Sequence, residues 1–406
     1  MTRFSLNAYW LQGEPTATLL RTLEAVAPTR VVGGAVRNTL LSHPIGDIDV
    51  ATVATPDKVE RAASRAGYAV HETGIAHGTL TIVADGHPYE VTTLREDVTT
   101  DGRRATVRFT DDFAKDAARR DFTMNALYVD ARGDGYDPVG GHDDCLARRV
   151  RFIGDPETRI REDHLRILRF FRFNAAYGAA FDPVGLEAVR THKRLIASLP
   201  AERVLGELTR LLLAPKAPPV VNVMAQDEIL AAFVPVPIDA AMYGAIVSAE
   251  GLAGRMVDPA LALLGLAGCE GGAFNTLAER LKLPRRTVQR AHAALAAADD
   301  LPALSVPQVR SLLYDHGAEA FIDGVVVASA RGVDLVDAGA LLSVARSWSR
   351  PRFPIGGHDL LDQGGEPGPA LGARLKRLET AWRDANFSLS RAELLAMDRN
   401  TLPEDP

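Results

Sequence analysis

Val31-Val32-Gly33-Gly34-Ala35-Val36-Arg37-Asn38 and, shortly after it, Asp47-Ile48-Asp49 are the stretches on which the fold turns. The first reads as a β-branched strand from Thr29 that ends in two glycines and opens a helix. Glycines let a ligand approach the backbone, and the first turn of a helix offers free N–H groups to phosphate. Arg37 lies one turn in, where a guanidinium can reach phosphate oxygens. Alone, a glycine pair before a helix is more often just a tight turn. The second stretch is a strand with carboxylates at i and i+2, hence on one face. Neighbouring carboxylates repel, and Mg²⁺, which prefers hard oxygen ligands, removes that cost. Glu90 on a later strand is equally a third carboxylate of that set or an exposed strand residue.

Working outward, residues 30–130 read as short strands separated by turns. Gly78 to Ala84 and Tyr89 to Leu94 form a hairpin across Asp85-Gly86, a hairpin-turn dipeptide. Pro56 to Ala66 is a helix with Thr55 as N-cap, and Ala126 to Val129 a short strand. A second polar cluster, Arg119-Arg120-Asp121-Phe122-Thr123-Met124-Asn125, precedes that strand; it suits triphosphate oxygens and ribose hydroxyls, or a surface ion-pair patch. Beyond Leu146 the apolar spacing becomes helical. Glu162 to Phe173 is expected to be one helix, with Asp163 and Arg166 on one face, Arg169 a further turn along, and Leu165, Leu168 and Phe171 turned to the core. From Arg148 to Arg172, eight arginines meet four acids, a local excess of +4. The last helix is expected near Ala370 to Arg383. The architecture is therefore α+β, a small mixed-sheet head followed by an elongated helical arm.

With 406 residues and 47% hydrophobic content the chain exceeds one ordinary core and is not globally disordered. Two cysteines exclude a disulfide scaffold and a four-cysteine zinc site. A net charge of −6 excludes a uniformly basic surface and leaves room for a local basic groove. No apolar run matches a bilayer, and residues 1–10 lack the apolar centre of a signal peptide, so the expectation is a cytoplasmic protein without a membrane partner.

Taken together, GGAVRN (33–38), DIDVAT (47–52), EVTTLR (90–95), RRDFTMNAL (119–127), DPVGG (137–141) and EDHLRILRFFRF (162–173) resemble the class II tRNA nucleotidyltransferase and bacterial poly(A) polymerase family. The likeness is strong over residues 30–173, weaker through AERVLGEL (201–208), and returns at PGPALGARLKRLETAW (367–382). It implies a nucleotidyltransferase head over 22–146, a neck over 147–215 with the nucleotide-selecting helix, a body over 216–346 and an RNA-binding tail over 347–406. It implies that Asp47 and Asp49 are catalytic and bind Mg²⁺, while Glu90 stays a candidate third catalytic carboxylate from its strand position. Gly33, Gly34, Arg37, Arg120, Asp121 and Asn125 match its nucleotide-contacting positions. Asp163 and Arg166 match the pair that templates the incoming base, and Arg169 and Arg172 match further arginines facing the nucleotide. A carboxylate accepting from an exocyclic amine beside a donating guanidinium suits cytosine and adenine, and rejects uracil and guanine. Asp101-Gly102-Arg103-Arg104 resembles the family's flexible loop. One departure is Asn38, where the family commonly has Asp.

The implied activity is addition of C, C and A to the 3′ end of tRNA from CTP and ATP, without a nucleic-acid template and with release of pyrophosphate. Poly(A) polymerase and a C-only or A-only enzyme share the head motifs. Residues 351–406 carry seven bases against nine acids, a net −2, and lack the basic extension that would grip arbitrary RNA. Two readings of other classes are a glycosyltransferase using the Asp-x-Asp pair and a non-catalytic RNA-binding protein. Neither accounts for all the motifs: the first leaves Asp163 and Arg166 unused, the second leaves two costly strand acids without a purpose.

Overall fold

Alternating strand residues and turn formers build the sheet of the first part of the chain. The protein is described from a computed structural model covering residues 2–75, 78–101, 104–301, 306–335 and 337–400. Its strands are β1 (Thr2–Ser5), β2 (Thr29–Val32), β3 (Ile48–Thr52), β4 (Ala69–Gly74), β5 (Thr79–Ala84), β6 (His87–Thr93), β7 (Arg95–Asp101), β8 (Arg104–Phe109), β9 (Tyr128–Val129) and β10 (Asp134–Asp137). Among the described residues, eight of them form one sheet in the order β1-β10-β9-β2-β3-β6-β5-β4, and β7 pairs with β8 apart from it. Only β3 and β6 run parallel within that sheet, so it is mixed. Asp85 and Gly86 both take positive φ, 47° and 77°, the backbone that matches the twist of a two-residue hairpin. The strand expected over Ala126 to Val129 is shorter, because Thr123–Asn125 winds into a 3₁₀ turn first. Gly102 and Arg103 of the loop resembling the family's flexible segment lie outside the described residues.

The head's helices are α1 (Tyr9–Gln12), α2 (Thr16–Glu24), α3 (Gly34–Leu40), α4 (Pro56–Arg65), α5 (Phe113–Ala118) and α6 (Gly141–Leu146). Pro56 starts α4 at the place expected, although the Thr55 hydroxyl makes no capping bond. Val32, Ala51, Leu94, Phe113, Ala126 and Tyr128 form the core beneath the site. The sheet reaches outside 22–146, since β1 pairs with β10 through Thr2↔Asp137 to Ser5↔Asp134.

The next helices are α7 (Pro156–Glu162), α8 (Arg166–Tyr177), α9 (Pro183–His192), α10 (Ala201–Leu212) and α11 (Ala217–Gln226). Here one expectation fails. Glu162 to Phe173 is not one helix, because Asp163 ends α7 in extended backbone (φ −148°, ψ 104°). Its Oδ1 accepts from the Leu165 N–H at 3.1 Å, a local side-chain bond that competes with helix. Ile167, Leu168, Phe170 and Phe171 are fully buried on α8. The Phe122 ring lies 4.9 Å from Phe152 and 5.1 Å from Phe173, and Phe152 stacks on Phe170 at 5.4 Å. These aromatic contacts join sheet and helices into one compact unit, Met1–Pro235.

The second unit, Val236–Pro406, is helical from Ala240–Leu252 to Arg391–Asn400. The helix expected last, Pro369–Asp384, is followed by another, Arg391–Asn400, whose Leu394 packs with Trp382 in one core. Among the described residues no single helix is long and apolar enough to cross a membrane. Both cysteines are free and buried.

Candidate active site

The register of three strands sets the acidic side. Val32, the last residue before the glycine pair, lies opposite Asp49, and Asp49 lies level with Glu90 on the parallel neighbour. Asp47 sits just before β3 and is exposed, while Asp49 is half-buried and Glu90 exposed. Burial, then the charges of Glu90 and Asp47, push the Asp49 carboxyl up to about 6, against the pull of Arg120 and Arg37. Among the described residues none of the three side chains makes a hydrogen bond or ion pair. No set of three or more His, Cys, Asp and Glu side chains among them converges to cage an ion without other donors. That donor set fits Mg²⁺, which is commonly held by one or two carboxylates together with substrate phosphates.

Gly33 takes φ 76° and ψ −116°, a conformation open to glycine and strained for other residues. The chain then turns into α3, and Arg37 is 7% exposed on it. Arg37 is held by neutral groups. Its Nε and Nη2 donate to Asn38 Oδ1 at 3.1 and 2.9 Å, its Nη1 to Asn125 Oδ1, and its Nη2 to the Tyr177 hydroxyl at 2.8 Å. The guanidinium also lies 4.1 Å from the Tyr177 ring centroid. Its charge is fixed in place and not cancelled.

The other arginines are anchored by carboxylates. Asp116, 1% exposed, accepts from Arg119 on Oδ1 (2.7 and 2.8 Å) and from Arg120 on Oδ2 (3.1 and 3.2 Å), with the Tyr128 hydroxyl donating at 2.8 Å. Burial alone would raise its pKa, but Arg120 and Arg119 hold it below the usual carboxylate range. Asp121 works likewise. Burial is outweighed by Arg169, which donates from Nε and Nη2 to Asp121 Oδ2, while Asn125 Nδ2 and the Phe122 N–H donate to Oδ1 at 2.9 and 2.8 Å. Arg172 donates to Glu207 at 2.5 Å.

Asp163 and Arg166 do not bond each other. Arg203 Nη2 donates to both Asp163 oxygens at 3.1 and 3.0 Å. Arg166 Nη1 donates to Glu162 (2.6 Å) and the Arg159 carbonyl (2.9 Å), and its Nη2 to the Arg119 carbonyl (3.0 Å). With five N–H groups, Arg166 keeps its Nε–H and one Nη2–H for a ligand, and Asp163 Oδ2 keeps an acceptor site.

One cavity of about 400 Å³ gathers most of the expected residues: Gly33, Gly34, Arg37, Asp49, Arg120, Asp121, Asn125, Asp163, Arg166 and Arg169 line it, with Arg119 and Phe173. Glu90 lines an adjoining hollow that shares Asp49, Arg119 and Arg120. Asp47 and Arg172 are on neither lining. Sequence reading missed Asp116, Tyr177, Arg203 and the anchoring role of Glu207. Asp116 had a faint signal, since a carboxylate three and four residues before two arginines on a helix can reach both. Tyr177 and Arg203 had none, because their partners are distant in sequence.

Residues 29–151 match the family model described as the poly A polymerase head domain, and residues 180–240 match the one described as the probable RNA and SrmB-binding site of polymerase A. The chain is 33% identical to CCA tRNA nucleotidyltransferase 1, mitochondrial, of Danio rerio, over 90% of this chain and 86% of that protein. It is 39% identical to the CCA-adding enzyme of Streptococcus pyogenes serotype M1, over 48% of each chain. The crystal structure of the Bacillus stearothermophilus CCA-adding enzyme in complex with CTP superposes with a TM-score of 0.75 at 28% identity, covering 95% of this chain and 96% of that one. A mixed-sheet head with its acids and arginines around one cavity, and likeness along nine-tenths of the chain, lead to the same place: this protein belongs to the CCA tRNA nucleotidyltransferase family.

Proposed function

We infer that this chain is a nucleotidyltransferase that adds C, C and A to the 3′ end of tRNA, using CTP and ATP without a nucleic-acid template and releasing pyrophosphate. The observation that carries the reading is the single cavity that Asp49 shares with Asp163 and Arg166. A group that reads a base edge and an acid suited to a metal thereby face one bound nucleotide.

The RNA 3′-hydroxyl attacks the α-phosphorus in line, and the bond to pyrophosphate breaks. Gly33 and Gly34 let the backbone lie close to the nucleotide, and Arg37, Arg119 and Arg120 meet its triphosphate. Five of the site's arginines (119, 120, 166, 169, 172) rest on carboxylates, whereas Arg37 rests on neutral groups, so its positive charge is left to balance phosphate. Asp163 accepts from the exocyclic amine of cytosine or adenine, and Arg166 donates to the ring acceptor beside it. Uracil and guanine would set a carbonyl against Asp163, a buried mismatch that is costly. Asp121 positions Arg169 and Asn125, and Arg172 acts from outside the cavity through the same α8 face. Asp47 and Asp49, with Glu90 alongside, would hold Mg²⁺. When bound, the ion supplies charge stabilisation to the attacking and leaving oxygens.

We assign catalysis to 22–146, base selection to 147–215, and RNA contact to 216–346 and 347–406, and we place the reaction in the cytoplasm. The test is incorporation on tRNA ending at the discriminator base, with each nucleotide offered separately and together. Addition of C, C and A that then stops is expected. Unlimited addition of A alone would sink the reading in favour of poly(A) synthesis.

A further inference from the structure

Asn38 stands where the resemblance led us to expect an aspartate, and its amide uses both of its ends. Oδ1 accepts from Arg37 Nε and Nη2 at 3.1 and 2.9 Å, which a carboxylate would also do. Nδ2 donates to the Pro44 carbonyl at 2.7 Å, which a carboxylate cannot do. The amide orientation is set by chemistry on both sides, since a guanidinium only donates and a carbonyl only accepts. The Asn38 main chain grips the same loop, with its carbonyl accepting from the His43 N–H at 2.8 Å. That loop leads within three residues from Pro44 to Asp47.

We propose that Asn38 is a positioning residue that ties two parts of the site together, the triphosphate-facing Arg37 and the loop that carries Asp47 into the metal-binding edge. The neutral amide is therefore required here, and the aspartate expected at this position is a poor substitute in this chain. In Asn38→Asp the bonds to Arg37 survive and strengthen, because they become charge-assisted. The carboxylate then faces the Pro44 carbonyl at hydrogen-bond distance with no proton between them, so the loop is pushed off its anchor. In Asn38→Ala both side-chain connections are lost, and only the main-chain bond to His43 still holds the loop.

The proposal rests on the nucleotidyltransferase reading, and the two fail differently. If the unaltered protein incorporates neither C nor A, that reading fails. The inference is tested by three measurements on the full chain. CTP binding without tRNA should be within about twofold of the unaltered protein for Asn38→Asp and about tenfold weaker for Asn38→Ala. Turnover should fall about tenfold in Asn38→Asp at unchanged KM for CTP, and the Mg²⁺ concentration for half-maximal rate should rise. Amide hydrogen exchange over 42–47 should quicken in both variants, with exchange in α8 unchanged as the check on folding. A role confined to general stability would lower Tm without separating kcat from KM. Asn38→Asp with unaltered turnover and unaltered exchange over 42–47 would overturn the proposal, as would Asn38→Ala with unaltered CTP binding.

Discussion

The strand edge and the helical wall of the cavity treat charge in opposite ways. On the wall, Arg119, Arg120, Arg166, Arg169 and Arg172 each rest on a carboxylate, and Arg203 rests on Asp163. On the edge, Asp49 lies level with Glu90, Asp47 sits just before the strand and, among the described residues, none of the three is paired. Protein groups therefore hold the wall's side chains in place, leaving spare donors on Arg166 and a spare acceptor on Asp163. The edge is satisfied only by something added, and burial with two neighbouring acids lifts Asp49 to about 6. In the proposed reaction, the ion and substrate would supply the charge that these unpaired acids lack.

From that contrast, Asp49→Ala should have the largest effect. Incorporation should fall at least about a thousandfold, because metal-assisted stabilisation is lost. Tm should hold or rise, since removing Asp49 relieves repulsion. A large loss of Tm would show that Asp49 is a structural residue and break the contrast.

Asp121→Asn should behave in the reverse manner. It strips the half-buried Arg169 of its main counter-charge and takes the charge from the buried Asp121 position, at a cost of roughly 3 kcal/mol in denaturant unfolding. Asp121 is held below the usual carboxylate range in the folded chain, so its stabilisation is complete above the ordinary carboxylate pKa and lost as pH falls through the folded value. The gap between the two proteins should stay constant near neutrality and close in acid, below about pH 4. A gap that closes towards alkaline pH would refute the assignment.

Arg166→Ala sharpens the comparison inside the wall. Glu162 keeps Arg159 at 2.6 Å, so no acid is orphaned. Discrimination of CTP over UTP should relax about tenfold, the worth of one good hydrogen bond in a buried site, with less change in triphosphate affinity. Equal loss for all four nucleotides would count against base reading. Gly33→Ala should have the smallest effect. The added methyl group meets only ordinary contacts, at 3.5 and 3.7 Å, so the cost is that of holding a side chain at φ 76° and ψ −116°, roughly 1–3 kcal/mol in stability. An unchanged Tm would mean that the turn relaxes without loss.

Much of this was legible in the residues themselves. Asp85-Gly86 announced its hairpin because a left-handed pair suits few other residues, and Asp49 falls on the strand expected, although β3 begins at Ile48 and leaves Asp47 just before it. The helix break at Asp163 was not legible, since nothing but a short acidic side chain marks it and its bond to Leu165 competes with an otherwise good helical pattern. The last helix, Arg391–Asn400, was missed because its apolar face is narrow and is completed by Trp382 from the preceding helix.

The chain on its own determined local matters: where strands turn, which acids share a face, and which residues have the chemistry to touch a nucleotide. Each depends on backbone sterics or on side chains a few positions apart. Tertiary structure decided the pairing: Asp121 with Arg169, Glu207 with Arg172, Tyr177 with Arg37, and Asp163 with Arg203 instead of Arg166. These partners lie dozens of residues apart, and a buried charge settles on whichever counter-charge the packing brings within reach, a choice no spacing along the chain records.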